Sequence, residues 1–277
     1  MDFALFVAGL RGLASCAGAD ATNLPQQPAA APAAIAAAPG RPAELGLDPG
    51  ESMAFEVHLG GVLAGEAQLA VGQLGVVGGH RAVVVKSRAA TAGAAALFKS
   101  ITDEATTVID ADTGRPLQLD TAVEVGGVTT TAHAVFTGSI ATVTYSRSDD
   151  GKPHAYRVNF GAVTVHDTHS AMAQLRGWHG APGATRTVYV VGGKRLWRVD
   201  LRFVGIESVG SAMGNRRAVH FDGAAFHAKA NLALESEHPT RTFSVWLTDD
   251  ADRVPLKLVA KTELGDVAMD LTEYSRP

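Results

Sequence analysis

The sequence is poor in the residues that stabilise small secreted domains or hold metals. Among 277 residues it has one cysteine, Cys16, so the chain downstream of it contains no disulfide and no cysteine-based zinc site. No stretch approaches the roughly 18 consecutive apolar residues of a membrane-spanning helix. The net charge is -4, without the basic excess typical of nucleic-acid-binding proteins. We therefore expect no nucleic-acid partner and no cofactor.

The single cysteine ends an apolar segment at the start of the chain. Residues 3–10 are apolar, and Leu-Ala-Ser then leads directly into Cys16. This Leu-Ala-Ser-Cys segment resembles the lipobox of bacterial lipoproteins, in which signal peptidase cleaves before the cysteine and the thiol carries diacylglycerol. The resemblance implies export to the cell envelope and periplasm, with the membrane reached through lipid at Cys16. Ala17 after the cysteine implies the outer membrane.

Residues 1–16 depart from an ordinary signal peptide in three ways. The apolar run is short, Asp2 stands where a basic residue is usual, and Arg11 interrupts the segment near the cleavage site. A true start upstream of Met1 would explain all three. The alternative is a cytosolic protein in which Cys16 is incidental.

Residues 17–49 are low in complexity. Prolines punctuate runs of alanine, as in the Gln-Pro-Ala-Ala-Ala-Pro run that ends at Pro32. Proline removes amide donors, and the segment has too little large apolar surface to offset the entropy of ordering. The composition predicts a disordered, semi-extended tether between the anchor and a folded domain at residues 50–277.

Alternation of apolar and polar side chains dominates the chain from Glu51 onward. A period of two is typical of strands with one buried face, and Gly-Gly pairs between the runs favour hairpin turns. The pattern predicts an all-β domain of antiparallel strands. The apolar members of three clear runs are Met53, Phe55, Val57 and Leu59; Trp197, Val199, Leu201 and Phe203; and Phe226, Ala228, Ala230, Leu232 and Leu234.

Only two segments indicate helix. Residues 89–100 are rich in alanine, and residues 167–176 combine helix signals at both ends. Asp167 can cap the second helix, Met172 and Leu175 share its predicted inner face, and Gly177 ends it.

The β domain contains an internal duplication. The acidic turn and Pro-Leu pair at residues 109–117 are repeated at residues 247–256, and the strand beginning at His80 resembles the one beginning at Arg216. The halves span about residues 51–147 and 185–274 and are joined by the predicted helix after Asp167. We expect two similar antiparallel sheets that form one open barrel or sandwich.

Four segments resemble the bacterial Domain of Unknown Function 3108 family. They are the Gly-x-x-x-Gly-Glu hairpin ending at Glu66, the segment containing Asp167, Ser170 and Arg176, the Gly192-Gly193-Lys194 hairpin followed by Val204-Gly205-Ile206-Glu207, and the terminal motif of residues 245–257. The resemblance covers about residues 51–274. It implies a β-rich envelope protein and no activity, because the family has none assigned.

Residues 166–176 contain the strongest candidate site. His166 and His169, with Asp167, are weak candidates for metal ligation, and His133 or His179 would supply a further ligand. No His-Glu-x-x-His pattern supports them, so a capped helix with exposed histidines is the simpler interpretation.

Three residues of the same segment, Asp167, Ser170 and Arg176, form a candidate functional or structural motif. Ser170 with a neighbouring histidine could serve a hydrolase, but no Gly-x-Ser-x-Gly turn surrounds it. We expect instead that Ser170 bonds the helix backbone and that Arg176 binds a carboxylate such as Asp167. No residue is assigned a catalytic role.

Two further groups of residues favour structural roles. Asp249, Asp250 and Asp252 lack the spacing of an EF-hand, and Asp110 and Asp112 occupy the corresponding turn of the first half. A solvated acidic turn is therefore the better interpretation. The tryptophans should fill the core or line a concavity; they are Trp178, Trp197 and Trp246.

The sequence supports three hypotheses about function. The first is a non-catalytic envelope module that holds a lipid, acyl chain or other hydrophobic small molecule between two curved sheets. The second is a structural protein that binds another envelope protein or a glycan. The third is a hydrolase that uses residues 166–176.

Overall fold

Strands occupy most of the chain, as the alternation predicts. The computed structural model describes residues 45–262 and 265–276, of which 65 % are strand and 6 % helix. The strands are β1 (Ser52–Leu59), β2 (Val62–Val71), β3 (Gly75–Val77), β4 (His80–Thr91), β5 (Ile101–Asp110), β6 (Pro116–Val125), β7 (Val128–Thr137), β8 (Ile140–Arg147), β9 (His154–Asn159), β10 (Val165–Asp167), β11 (Thr185–Gly192), β12 (Arg195–Ser211), β13 (Gly214–Ala228), β14 (Arg241–Thr248), β15 (Pro255–Thr262) and β16 (Gly265–Ser275). The helices are α1 (Gly93–Phe98) and α2 (Thr168–Arg176).

Hydrogen bonds join the strands into one sheet rather than the two that the duplication suggests. The order is β10-β11-β12-β13-β14-β15-β16-β1-β2-β4-β5-β6-β7-β8-β9, with β3 paired to β4. The first strand pairs with the last, since β1 lies antiparallel to β16, and this contact fuses the two halves. Most hairpins turn tightly, as at Gly60 and Gly61, whose φ values of +57° and +84° suit glycine.

The duplication is visible in the order of the strands. In the sheet, the meander β1, β2, β4–β7 lies next to its copy, β11–β16, and the two meet where β1 pairs with β16. Matching contacts recur at the acidic turns: Arg81 pairs with Asp112 at 2.8 Å, and Arg217 pairs with Asp249 at 2.6 Å. The all-β, internally duplicated fold is therefore confirmed.

The sheet curls into an open barrel. Its terminal strands, β9 and β10, are not paired with each other. Side chains from both ends nevertheless pack in one apolar cluster, where Val143 and Val158 from one end meet Val191 and Leu196 from the other. Apolar packing, not hydrogen bonding, brings the two ends together.

Helix α2 packs against the inner faces of both halves. Ala173 belongs to a cluster with Val83 and Val85 of the first half. Leu175, two residues further along the helix, packs against a cluster of the second half that includes Phe221 and Leu247. The helix therefore fills the middle of the barrel.

The folded domain begins earlier than the composition indicates. Leu45 and Leu47 are wholly buried in the cluster that contains Ala173. Gly46 between them has a φ of +65° and lies against α2. The predicted tether is thus wrong for its last five residues, because two leucines supply enough apolar surface to hold them. Cys16 and residues 17–44 lie outside the described residues.

Two of the predicted elements are wrong in extent. Residues 89–91 belong to β4, where Ala89 pairs with Ala67 and Asp103, so the helix covers only Gly93–Phe98. The strand predicted to reach Leu234 ends at Ala228, and Leu232 has a φ of +68°. Pairing on both edges makes residues 89–91 strand, whereas beyond Ala228 the chain turns back, with Leu234 bridging to Ala228, instead of extending β13. Tertiary pairing thus overrides the local pattern in both cases.

Candidate functional site

The predicted α2 segment forms a capping box. Asp167 is the N-cap, and its carboxylate accepts from the amides of His169 and Ser170, each at 3.1 Å. The Ser170 hydroxyl in turn accepts from the Asp167 amide at 3.1 Å. Both side chains are fully buried. Asp167 and Ser170 therefore fix the start of the helix, and Gly177 is its C-cap.

Both histidines beside this box are buried, not exposed as expected. His166 is 7 % and His169 1 % exposed. Nδ1 of His166 lies 3.2 Å from the Ser170 hydroxyl. Burial lowers the pKa of His166 to about 4, aided by Arg115 and Arg186 and opposed by Asp167. Burial also holds the pKa of His169 well below its ordinary value. Both rings are therefore neutral near pH 7.

The first half of the sheet binds α2 through polar side chains. Thr107 of β5 donates to Asp167, and its Oγ1 lies 2.7 Å from Nδ1 of His169. The other ring nitrogen of His169, Nε2, lies 2.9 Å from the Ser87 hydroxyl on β4. Both nitrogens of His169 are thus occupied, which leaves neither for a metal.

The proposed third ligands have other surroundings. His133 lies on β7 with its Nδ1 2.7 Å from Asp120, and His179 is exposed in the loop after α2. Within residues 45–262 and 265–276, no three His, Cys, Asp or Glu side chains are grouped to hold a metal ion.

Arg176, at the other end of α2, binds Glu51 and not Asp167. The ion pair is bidentate: Nη1 donates to one carboxylate oxygen of Glu51, and Nη2 donates to the other at 3.0 Å. Both side chains are completely buried. Arg176 also donates to the Asp252 carbonyl at 2.9 Å, and Tyr274 donates to Glu51 at 3.1 Å. The pair therefore joins α2 to the start of β1, the end of β16 and the second acidic turn.

Glu51 could not be predicted as this partner, because it lies 125 positions from Arg176 in the chain. Ser87 and Thr107 were missed for the same reason. Residues 166–176 were singled out from the sequence, but their partners lie outside that segment, in distant parts of the chain.

The arrangement disfavours the hydrolase hypothesis. His166, Asp167 and Ser170 do come together, but the Ser170 hydroxyl is fully buried and committed to the capping box. A nucleophile must reach its substrate, and here the helix backbone holds the hydroxyl. The chemistry of this segment is that of a scaffold.

In each acidic turn, an aspartate carboxylate accepts hydrogen bonds from backbone amides of the same turn. Asp250 accepts from the amides of Asp252 and Arg253 at 3.0 and 3.1 Å. Asp110 accepts from the amides of Asp112 and Thr113 at 3.0 and 2.8 Å. The two halves share this turn, in which aspartate caps the chain reversal.

An apolar cavity lies between α2 and the second half of the sheet. Its volume is about 230 Å³, and β11 to β15 form most of its wall. Ala171, Met172 and Leu175 of α2 cover it, while Phe243 and Val245 lie on the opposite side. Trp197 lines the same cavity, whereas Trp178 is buried in the adjoining cluster and Trp246 is half-buried.

The duplication explains why the cavity lies on one side of α2 only. The strand pairs place Gly223 of β13 at the position of Ser87, and Val245 of β14 at that of Thr107. At these two positions the first half thus presents hydroxyl groups that bind α2, and the second half presents a glycine and a valine that cannot. A Cβ on Gly223 would lie 2.2 Å from the Phe243 ring, so glycine here also makes room for that ring.

Solved structures resemble this fold at very low sequence identity. A β-barrel-like protein of Domain of Unknown Function DUF1849 from Brucella abortus matches with a TM-score of 0.57 at 10 % identity, over 83 % of this chain and 99 % of its own. A protein of Bacteroides fragilis described as exported, with a YmcC-like fold, gives a TM-score of 0.37 at 8 % identity, over 83 % and 97 %. A protein of Parabacteroides distasonis described as a lipoprotein gives 0.35 at 8 %, over 84 % and 99 %. The first likeness agrees with an open barrel.

Two further comparisons bear on identity. No curated protein matches the chain. In the described part of the chain, neither helix has the length and apolarity that spanning a bilayer requires. The family model described as "Protein of unknown function (DUF3108)" matches residues 54–272, which is most of the β domain. The chain therefore belongs to the DUF3108 family, as its four motifs indicated.

Proposed function

We propose that this protein is a non-catalytic envelope module that binds a hydrophobic small molecule in the cavity beside α2. The cavity carries the proposal: it is lined mainly by aliphatic and aromatic side chains and borders a helix held in place by buried polar bonds. Small-molecule sites are commonly concave and apolar, with a few placed polar groups.

Filling the cavity tests this function. Ala171 lies on the cavity side of α2, so Ala171→Phe should occupy the space that a ligand needs. Gln174 is also half-buried on α2 but lies outside the lining, which makes Gln174→Phe a matched control. Binding of the neutral fluorescent probe N-phenyl-1-naphthylamine to the full chain should fall at least about tenfold for the first variant and stay unchanged for the second.

Native mass spectrometry of the purified protein gives an independent readout. We expect a co-purified lipid or acyl compound in the wild type and in Gln174→Phe, and its loss in Ala171→Phe. Absence of any adduct from the wild type, together with no probe binding, would contradict the function.

The lipid anchor is a separate part of the proposal. It rests on the Leu-Ala-Ser-Cys segment and on the low-complexity chain that follows Cys16. Cys16→Ser should move the protein from the membrane fraction to the soluble fraction of the envelope. Unchanged fractionation would remove the anchor and leave the binding function intact.

A polar groove favours a second candidate function, binding of another envelope protein or a glycan. The groove has a volume of about 870 Å³ and is lined by exposed polar side chains of β2, β4 and β16, among them Gln68, Lys86 and Glu273. A photo-crosslinking residue at Gln68 should then give a discrete adduct in cells, and one at exposed Arg157 of β9 should not. Equal labelling from both positions would count against this role.

A further inference from the structure

Large apolar side chains are exposed at the end of the barrel that carries α1. Leu97 and Phe98, the last two residues of α1, are 87 % and 82 % exposed. Val62 and Leu63, which begin β2, are 65 % and 37 % exposed. We call these four residues the apolar tip. Contiguous exposed apolar side chains, unlike scattered ones, mark a surface that binds a protein or a membrane.

Backbone contacts place α1 beside the start of β2 and close the loop that carries it. The Ala92 amide donates to the Ala64 carbonyl at 3.0 Å. The Thr91 hydroxyl donates to the Lys99 carbonyl at 3.1 Å and accepts from the Ile101 amide at 3.0 Å, which ties the two ends of the loop together. The loop therefore holds the apolar end of α1 out from the core.

The sequence around the apolar tip has no acidic residue. Residues 59–65 and 89–102 contain neither aspartate nor glutamate, and Lys99 is their single charged residue. A carboxylate would oppose entry into a bilayer, whereas a lysine can keep its ammonium group among lipid head groups while its stem lies against apolar surface. This composition suits a lipid surface.

The area of the apolar tip favours a bilayer over a folded protein. A phenylalanine offers roughly 150–250 Å² and an aliphatic side chain less, so the four side chains together offer roughly a few hundred Å². A stable protein complex buries about 800 Å² on each partner. A bilayer needs no complementary surface, because its interface accepts any projecting apolar side chain.

The length of residues 17–44 lets the apolar tip reach a bilayer that holds Cys16. Leu45 and Leu47 pack with Val71 at the end of β2, so the chain enters the domain at the edge of the sheet opposite to α1. β2 has 10 residues and a length of about 33 Å. Residues 17–44 can span up to about 95 Å. Lipid at Cys16 is therefore compatible with an apolar tip that faces the same bilayer.

We propose that the apolar tip inserts into the surface of a lipid bilayer, as a second membrane contact besides lipid at Cys16. This inference rests on the anchor in the proposed function and is independent of the cavity. The anchor keeps the apolar tip at a high local concentration near the bilayer, so weak insertion is enough to orient the domain. Insertion of so few side chains is reversible, so it does not retain the Cys16→Ser protein on washed membranes.

Sedimentation with vesicles tests the apolar tip without the anchor. The full chain carrying Cys16→Ser is mixed with vesicles of equal parts phosphatidylethanolamine and phosphatidylglycerol, at roughly millimolar lipid. We expect this chain to bind. Adding Leu97→Ser and Phe98→Ser should lower its partition coefficient at least about tenfold, because two large apolar side chains no longer enter the bilayer.

A second exposed apolar pair provides the matched control. Val76 and Val77 of β3 are 67 % and 40 % exposed. They lie at the other edge of the sheet, since β3 pairs with the start of β4 and α1 follows its end. Val76→Ser with Val77→Ser should leave the partition coefficient unchanged. All these side chains are exposed, so both double variants should keep the circular dichroism spectrum of the parent chain.

A single fluorescent label reports insertion itself. Cys16→Ser removes the only cysteine of the chain, so a new cysteine is the sole labelling site. A nitrobenzoxadiazole label attached to Ala96→Cys, at an exposed position of α1, should brighten and shift to the blue when vesicles are added. The same label attached to Val76→Cys should not change, because its surroundings stay aqueous.

Three results would overturn the inference. The first is failure of the Cys16→Ser chain to bind vesicles, and the second is equal binding after Leu97→Ser with Phe98→Ser. The third is a dimer in sedimentation velocity that this double variant abolishes, which would assign the apolar tip to a second copy of the chain. None of these results alters probe binding in the cavity or the fractionation of Cys16→Ser in cells, which test the proposed function separately.

Discussion

At the scale of single residues, the buried ion pair between Arg176 and Glu51 has the largest expected effect on stability. Removing one member leaves the other charge buried without its partner. Arg176→Met should therefore lower the free energy of unfolding by about 3–5 kcal/mol. Chemical denaturation monitored by circular dichroism measures the change.

An exposed ion pair provides the contrast. Arg202 and Asp222 lie 2.7 Å apart with exposed side chains, so Arg202→Met should cost less than about 1 kcal/mol. The double variant Arg176→Met with Glu51→Gln should recover part of the loss. A cost for Arg176→Met no greater than that for Arg202→Met would refute the structural role.

The buried histidine at the start of α2 predicts a dependence on pH. The pKa of His166 is lowered to about 4 by burial, so the unfolded chain binds a proton that the folded protein does not. The resulting stability is complete above the unfolded pKa of about 6.5 and is lost as the pH falls towards 4. Over that range the free energy of unfolding should drop by up to about 3 kcal/mol more in the wild type than in His166→Asn.

The control for this prediction is His179→Asn, at an exposed position in the loop after α2, whose pH profile should follow the wild type. Denaturation midpoints recorded at intervals from pH 7 to pH 4 give the comparison. Parallel profiles for the wild type and His166→Asn would be inconsistent with a neutral, buried ring.

At the scale of elements, residues 45–47 pack so closely against α2 that Gly46 should not tolerate replacement by a residue with a side chain. Gly46 has a φ of +65°, and a Cβ there would lie 2.1 Å from the Ala173 carbonyl oxygen. The strain of a left-handed residue and a clash with helix backbone both oppose Gly46→Ala. We expect a loss of about 2–4 kcal/mol, measured by thermal or chemical unfolding.

A second glycine, Gly60, separates the cost of the left-handed backbone from the cost of the steric clash. Its φ is +57°, but nothing lies within 4 Å of its would-be Cβ. Gly60→Ala should therefore cost about 1 kcal/mol, the price of the backbone conformation alone. Equal costs at the two positions would mean that residues 45–47 do not dock on α2.

The sequence predicts elements better than it predicts their partners. Period-two runs located β1, β2 and β12 because each strand buries one face, and Asp167 and Gly177 marked the ends of α2 because caps are local. Residues 89–91 were assigned to a helix because alanine favours one, but pairing on both edges made them strand. The partners of Arg176 and His169 were not predictable, since they lie on strands distant in sequence.

At the scale of the whole molecule, the open edge of the barrel predicts uneven protection of the backbone. β9 pairs with β8 alone and is largely exposed, whereas β1 is paired on both sides. Amides of β9 should exchange with solvent at least about tenfold faster than those of β1, because local opening there breaks fewer contacts. Hydrogen exchange followed by mass spectrometry measures this difference.

β10 serves as an internal control for the same experiment. It is also a terminal strand, but all three of its residues are buried beneath α2. Its amides should be protected better than those of β9. Equal, rapid exchange in both would indicate that α2 does not hold its side of the barrel closed.

The pairing of the first strand with the last has a consequence for how the protein is made. Ser52 lies opposite Ser275, so the centre of the sheet joins residues from the two ends of the domain. Ribosomes deliver β1 long before β16, and loop closure over such a distance is entropically costly and slow. The nascent chain therefore cannot complete its barrel until β16 has left the ribosome, almost at the end of the domain.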